Sequence, residues 1–370
     1  MAVFAKAAPT PKCLRAWPGS KHRIPARACA SGLSWKSGGP SRLRVNKTAA
    51  LQVRPFSFSF NFGLSTVNLR SGVPGDFFFM TWKRVATAVV LIPFVVGLVL
   101  WASTAWVAVV LALILELALF EYFALGDAIG HRAYRFWTAT CALLLVYVQW
   151  LAAIEPSYQL AGGLVLHREI GRFAAGLLGV SEAFFVFVMG VAVLTLWTKR
   201  PLVEGLPAAG ISSSGLLLVA FPLTFAVRLH GLGEQGPRLL LFALVITWVG
   251  DTVAYFVGRA AGKHPLAPHL SPKKTWEGSI ASFAGSLLVA LAFTRWLSAP
   301  PVHLLAMAGA GNIAGQVGDL LESAYKRSAG VKDSGGMLPG HGGILDRIDA
   351  LILAIPVVWY YWTLIYSPGM

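Results

Sequence analysis

Between Val85 and Tyr366 the chain repeats one pattern: a long apolar run, a short polar connection, then another apolar run. The runs lie near the roughly 20 residues that a helix needs to cross hydrocarbon. We read spans near residues 85–104, 106–125, 136–154, 175–198, 207–227, 238–258, 279–298, 302–322 and 348–366, nine in all, with the limits of the second and fifth the least sharply marked. Lipid offers no partner to a backbone N–H or C=O, so each span must satisfy its own backbone as a helix. Pro93, Pro222 and Pro356 fall inside spans, where membrane helices tolerate proline better than soluble ones do. Composition agrees: 13% of residues are charged and 56% hydrophobic, whereas a soluble domain carries about 25% charged residues. Cys13, Cys29 and Cys141 have neither metal-ligand spacing nor the look of a disulfide framework.

Charge orients the bundle. If the amino end of the first span is cytoplasmic, that side receives Lys83, Arg84, Arg132, Arg135, Lys199, Arg200, Arg259, Lys263, Lys273, Lys274, Lys326, Arg327, Lys332 and Arg347. The other side receives Arg168, Arg172, Arg228, Arg238 and Arg295, a division of fourteen against five. Cytoplasmic connections carry the excess of Lys and Arg, and a miscount by one span would scramble the split. The expected fold is an all-α integral membrane protein, a polytopic bundle of about nine transmembrane helices with a cytoplasm-facing polar cavity.

The net charge of +15 hides an asymmetry. Residues 1–79 hold 12 Lys/Arg and one acid, Asp76, whereas residues 80–370 hold 19 Lys/Arg and 15 acids. We therefore expect a basic, disordered extension over 1–79 and a polytopic membrane domain over 80–370. The extension lacks the apolar core of a signal peptide. Three readings are open: a start assigned too early, with Met80-Thr-Trp-Lys-Arg the natural beginning; an organellar transit peptide, which fits the Arg and Ser content but not Trp17 and Trp35; and a basic arm on anionic lipid. We favour the first.

Two segments carry chemistry. Ser323–Asp349, SAYKRSAGVKDSGGMLPGHGGILDRID, packs Lys326, Arg327, Lys332, Arg347, three aspartates, His341 and six glycines into 27 positions between apolar runs. Lys and Arg meet phosphate oxygens, Asp holds a divalent cation, and Gly lets backbone amides approach closely. Asp319 precedes the segment in an apolar run, four residues before Ser323 and on the same helix face. Asp346 and Asp349 share a face as the last helix begins; simple helix-start acids are the plainer account of that pair, but not of Asp319. Carboxylates from two helices converging near one surface would hold magnesium bound to phosphates. His341, in Pro-Gly-His-Gly-Gly, orders a loop more readily than it moves protons. The second segment, Asp251 to Gly278, has an acid inside an apolar helix and then Ser271-Pro-Lys-Lys-Thr275 before a helix start, either a phosphate cradle or an ordinary basic connection. Glu116 and Glu121, five apart in the second span, add a carboxylate that reaches the polar cavity or merely ends a helix.

The stretch Ser323–Asp349 resembles the signature of bacterial phosphatidate cytidylyltransferases: S-x-x-K-R, four residues, K-D, then P-x-H-G-G-x-x-D-R-x-D. Asp251–Arg259 and Ser271–Gly278 resemble that family's D-x-x-A-Y-x-x-G-[RK] and S-P-K-K-T-x-E-G blocks. The likeness covers about residues 80–370. Tyr325 departs from the family's aliphatic residue or Phe, on what we read as a membrane-facing side. The resemblance implies an enzyme joining CTP and phosphatidate into CDP-diacylglycerol and pyrophosphate with Mg2+. It implies metal on Asp319 and Asp346, with Asp349 a further or outlying ligand, and catalytic roles for Asp319, Lys326, Asp346 and Asp349. Substrate phosphate would be met by Ser271, Lys273, Lys274, Thr275, Ser323, Arg327, Lys332, His341 and Arg347. The bilayer is the expected surrounding, no nucleic acid is expected as a partner, and a homodimer stays open. The expected location is a cell inner membrane with the site facing the cytoplasm, or a plastid or mitochondrial membrane if residues 1–79 are a transit peptide. Alternatives are a CTP-dependent lipid kinase, a cytidylyltransferase for another lipid phosphate, and a transporter using the intramembrane acids.

Overall fold

The structure, a computed structural model, describes Val89 and residues 91–160, 179–335 and 342–366. The extension over 1–79 and His341 lie outside the described residues. Helices follow one another almost without interruption: α1 (Leu91–Trp101), α2 (Thr104–Ala128), α3 (Arg135–Leu160), α4 (Val180–Trp197), α5 (Gly205–Ser214), α6 (Phe221–His230), α7 (Gly236–Ala261), α8 (Trp276–Phe293), α9 (Pro301–Ser328) and α10 (Leu345–Tyr360). The chain is an all-α polytopic membrane protein. Among the described residues seven helical segments are long and apolar enough to cross a membrane. The described part of α1 has 11 residues. α9 has ample length, 28 residues, but Asn312, Gln316, Asp319 and Glu322 lower its hydropathy.

The fifth expected span is not a regular α-helix throughout. α5 opens into a π-helical turn, Gly215–Ala220, before α6 resumes, and the Phe221 amide reaches back to the Leu216 carbonyl. Pro222 supplies the reason: it has no N–H for the preceding turn and its ring crowds that turn, which a one-residue widening relieves. A second departure is an antiparallel hairpin, β1 (Pro265–Ala267) with β2 (Ser271–Thr275). Pro265, Pro268 and Pro272 rule out a helix there and are tolerated on edge strands.

Small residues set how closely the helices pack. A Cβ on Gly318 of α9 would lie 2.5 Å from the Asp349 carbonyl oxygen of α10, and one on Gly315 would lie 3.4 Å from that of Ala350. Helices in lipid associate through such close approach and through hydrogen bonds between them. α8 and α9 add those bonds: Asn312 Nδ2 donates to Ser282 Oγ at 2.9 Å and to Ser286 Oγ at 2.8 Å, and Gln316 Nε2 donates to the Ser279 carbonyl at 3.3 Å. At one end of the bundle His230 joins α1 and α2, through the Val99 carbonyl and the Thr104 hydroxyl, each at 3.0 Å. At the opposite end lie the ends of α2, α7 and α9, the hairpin, and the starts of α8 and α10.

Gly318→Val should therefore overpack the α9–α10 seam and lower stability by about 1–3 kcal/mol. Gly210→Ala, where an added Cβ meets nothing within 4 Å, should leave it unchanged or raise it. Thermal unfolding of both variants in one detergent checks this; equal melting temperatures would refute the close-packing account.

Candidate active site

Asp319 and Glu322, three residues apart, share a face of α9. Asp349 is the fifth residue of α10, and the glycine seam brings its backbone against Gly318. One oxygen from each of Asp319, Glu322 and Asp349 consequently lies within 4.8 Å of the other two. Asp251 of α7 is near enough to interact electrostatically with Asp319 and Asp349. Two like charges 4 Å apart repel by about 4 kcal/mol at an effective dielectric near 20, so such a cluster needs cations beside it.

Two lysines provide them. Lys274, from β2, pairs with Asp319, which joins the Ser271–Thr275 block to the signature helix. Lys326 pairs with Glu322 one turn back and with Asp346 Oδ1 at 2.7 Å. This second group is almost out of solvent: the side chains of Lys326, Asp346 and Glu322 are 12%, 11% and 4% exposed. Asp346 also accepts the backbone amides of Ser334, at 3.2 Å, and Gly343, at 2.9 Å.

The acids drawn into one cluster are thus Asp319, Glu322 and Asp349. Asp346 adjoins them through Lys326 and Glu322, with its oxygens engaged by the ammonium and by loop amides. Sequence reasoning passed over Glu322, although its spacing of three after Asp319 and four before Lys326 placed it between them. Its Oε1 is buried without a hydrogen-bond partner, and a hard divalent cation seeks such an all-carboxylate oxygen set. The residues present therefore fit a magnesium ion.

The other expected phosphate contacts are distributed around this centre. Thr275 caps α8, accepting the Gly278 amide at 3.2 Å. Arg327 donates to the carbonyls of Leu270, at 3.2 Å, and Val331, at 3.0 Å, tying the hairpin to the end of α9. Ser323 is buried in α9, Ser271 is half-buried, and Lys273, Lys332 and Arg347 are exposed. Tyr325 corrects an expectation: it does not face lipid but packs edge-on against Tyr122 of α2, with ring centroids 5.7 Å apart. Glu121 reaches the site end as well, accepting the Leu345 amide at 2.9 Å and the Ser334 hydroxyl at 3.1 Å.

A family model described as the Cytidylyltransferase family matches residues 82–365, well over half of the 370 residues. The chain belongs to this family. A phosphatidate cytidylyltransferase of Bacillus subtilis is 36% identical over 178 residues, covering 46% of this chain and 65% of that protein. One of Brucella abortus is 36% identical over 192 residues, covering 50% and 67%. One of Staphylococcus epidermidis is 45% identical over 130 residues, covering 34% and 49%. The matched stretch thus spans about two thirds or less of the length of these curated relatives. Within this chain the acid cluster and its two lysines occupy the carboxyl-terminal third.

Removing a partner from a buried ion pair strands the other charge, at a cost of about 3–5 kcal/mol. Lys326→Met should lower stability on that scale, and Lys326→Met combined with Glu322→Gln should regain part of it. Unfolding of the three proteins in detergent tests this; a single variant as stable as the parent would contradict the buried triad.

Proposed function

We propose that this protein transfers CMP from CTP to phosphatidate, yielding CDP-diacylglycerol and pyrophosphate. The observation that carries the reading is the Lys274–Asp319 contact, which brings the basic hairpin onto the acid cluster of α9 and α10 at one end of a membrane bundle. Both reactants are anionic and one of them resides in the bilayer. A site for them needs cationic side chains, a seat for a hard metal and access from lipid, all at a helix-end surface.

A phosphate oxygen of phosphatidate forms a bond to the α-phosphorus of CTP while the bond from that phosphorus to the pyrophosphate oxygen breaks. Phosphatidate is already ionised near neutral pH, so no general base is required. The chain's task is to neutralise and align. Lys274 and Lys326 lie where incoming phosphates compete with Asp319, Glu322 and Asp346 for their ammonium groups. Lys273, Arg327, Lys332 and Arg347 add positive charge around the rim, and Ser271 and Thr275 bring hydroxyls. Asp319, Glu322 and Asp349 would hold magnesium, with Asp346 adjoining; bound there, the ion would offset charge developing on the phosphates. We place this end on the cytoplasmic side of a cell inner membrane, where positive charge concentrates. Between α8 and α9 a groove of about 340 Å³, lined by Trp276, Ile280, Phe283, Ile313, Val317 and Leu320 among others, suits an acyl chain.

Purified protein incubated with labelled CTP, phosphatidate and magnesium should release pyrophosphate and label the lipid as CDP-diacylglycerol, and chelation should stop the reaction. Asp349→Asn should reduce the rate by about 100-fold or more with its melting temperature retained. CDP release with a phosphorylated alcohol would instead identify a lipid kinase, and absence of turnover would overturn the proposal.

A further inference from the structure

We infer that Glu121, in the second span, is a positioning residue: it clamps the start of α10 and so sets where Asp346 and Asp349 stand. What is being positioned rests on the cytidylyltransferase reading above. Glu121 is 2% exposed, where a carboxylate needs donors to be tolerated. Its Oε2 accepts two: the Leu345 amide and the Ser334 hydroxyl. Leu345 is the first residue of α10, and an amide there has no partner within the helix. The residue ahead of it, Ile344, offers no side-chain cap. Glu121 therefore supplies from 224 residues away the cap this helix lacks in its own sequence, and a negative charge there also suits the helix dipole.

The clamp is two-sided. Ser334 and Gly343 give their amides to Asp346, while Ser334 and Leu345 bond Glu121. The loop ends and the helix start are thus held between two carboxylates, one of which also holds Lys326. The glycines confirm how tight the fit is. A Cβ on Gly343 would lie 2.3 Å from Glu121 Oε2 and 2.1 Å from Ser334 Oγ, and one on Gly335 would lie 2.4 Å from Glu121 Oε1. Gly343, the last glycine of the Pro-Gly-His-Gly-Gly turn, is thereby accounted for by the buried carboxylate. The next residue of α10 is Asp346, which meets Lys326, and one turn further along stands Asp349, beside Asp319 and Glu322; a displacement of about 1 Å at a catalytic centre can cost about 100-fold in rate.

The test uses the full chain reconstituted in lipid. Glu121→Met keeps similar length but no acceptor; kcat should fall about 100-fold with KM for CTP little changed. Glu121→Gln keeps an amide oxygen that can accept both bonds and should recover most of that loss. Ser334→Ala should give a smaller loss that does not add to that of Glu121→Met. Hydrogen exchange supplies a readout independent of turnover: peptides covering Leu345–Ala350 should lose protection in Glu121→Met while the rest of the bundle keeps it. Activity in Glu121→Met within about twofold of the parent, equal losses in the Met and Gln variants, or exchange rising throughout the bundle would each overturn the proposal. If the parent shows no CTP turnover, the functional reading fails, while local loss of protection still supports the clamp and its absence refutes it.

Discussion

The ammonium of Lys326, lying between Glu322 and Asp346, is the contact on which the site depends. Three ionisable groups are held nearly out of water, and each would be costly there as a lone charge. Their mutual attraction offsets desolvation only when the geometry is good and the remaining lone pairs find donors. The structure meets that condition unevenly. Asp346 has loop amides for its other contacts, whereas Glu322 keeps a buried oxygen without a donor. That unevenness separates the two acids: Asp346 fastens α10 and its preceding loop to α9, and Glu322 has a buried oxygen left without a donor beside Asp319 and Asp349.

Helix polarity reinforces this arrangement. α8 and α10 begin at the site end, so the positive ends of their dipoles point toward it, and helix starts of this kind suit phosphate. α7 and α9 finish there, carrying Arg259, Lys326 and Arg327 in their last turns. Acids, bases and helix starts thus share one surface. Polar groups buried farther along α8 and α9, such as Asn312 with Ser282 and Ser286, are satisfied by each other. The difference is physical. Deep in the bundle a polar group must find a fixed protein partner, whereas at the end it can exchange that partner for a ligand.

Much of this was legible in the sequence because hydrophobic length and charge position are local signals. The helices stand where the apolar runs lie, and Asp319, Lys326, Asp346 and Asp349, grouped by the family resemblance, lie at one end. Three things were not legible. The hairpin at 265–275 was hidden because Ser271–Thr275 was read as a phosphate cradle or a basic connection, although pairing Pro265 with Thr275 needs only edge strands. Glu322 was overlooked because a carboxylate four residues before a lysine looks like an ordinary helix pair; burial on a crowded face gives it a second partner set. Tyr325 was assigned to lipid because no local pattern distinguishes lipid from a neighbouring helix when both are apolar.

Glu121 exemplifies the harder case. Nothing within α2 marks it, since a carboxylate near a helix end is commonplace and Glu116, five residues earlier, looks much the same. The signal lies in what its partner lacks: α10 starts after Gly342-Gly343-Ile344, a sequence without a capping side chain, in a place too buried for water to serve. A buried helix start with no local cap implies a donor-seeking group from elsewhere in the chain. The start of α10 is therefore held by a distant carboxylate as well as by an acid of its own segment.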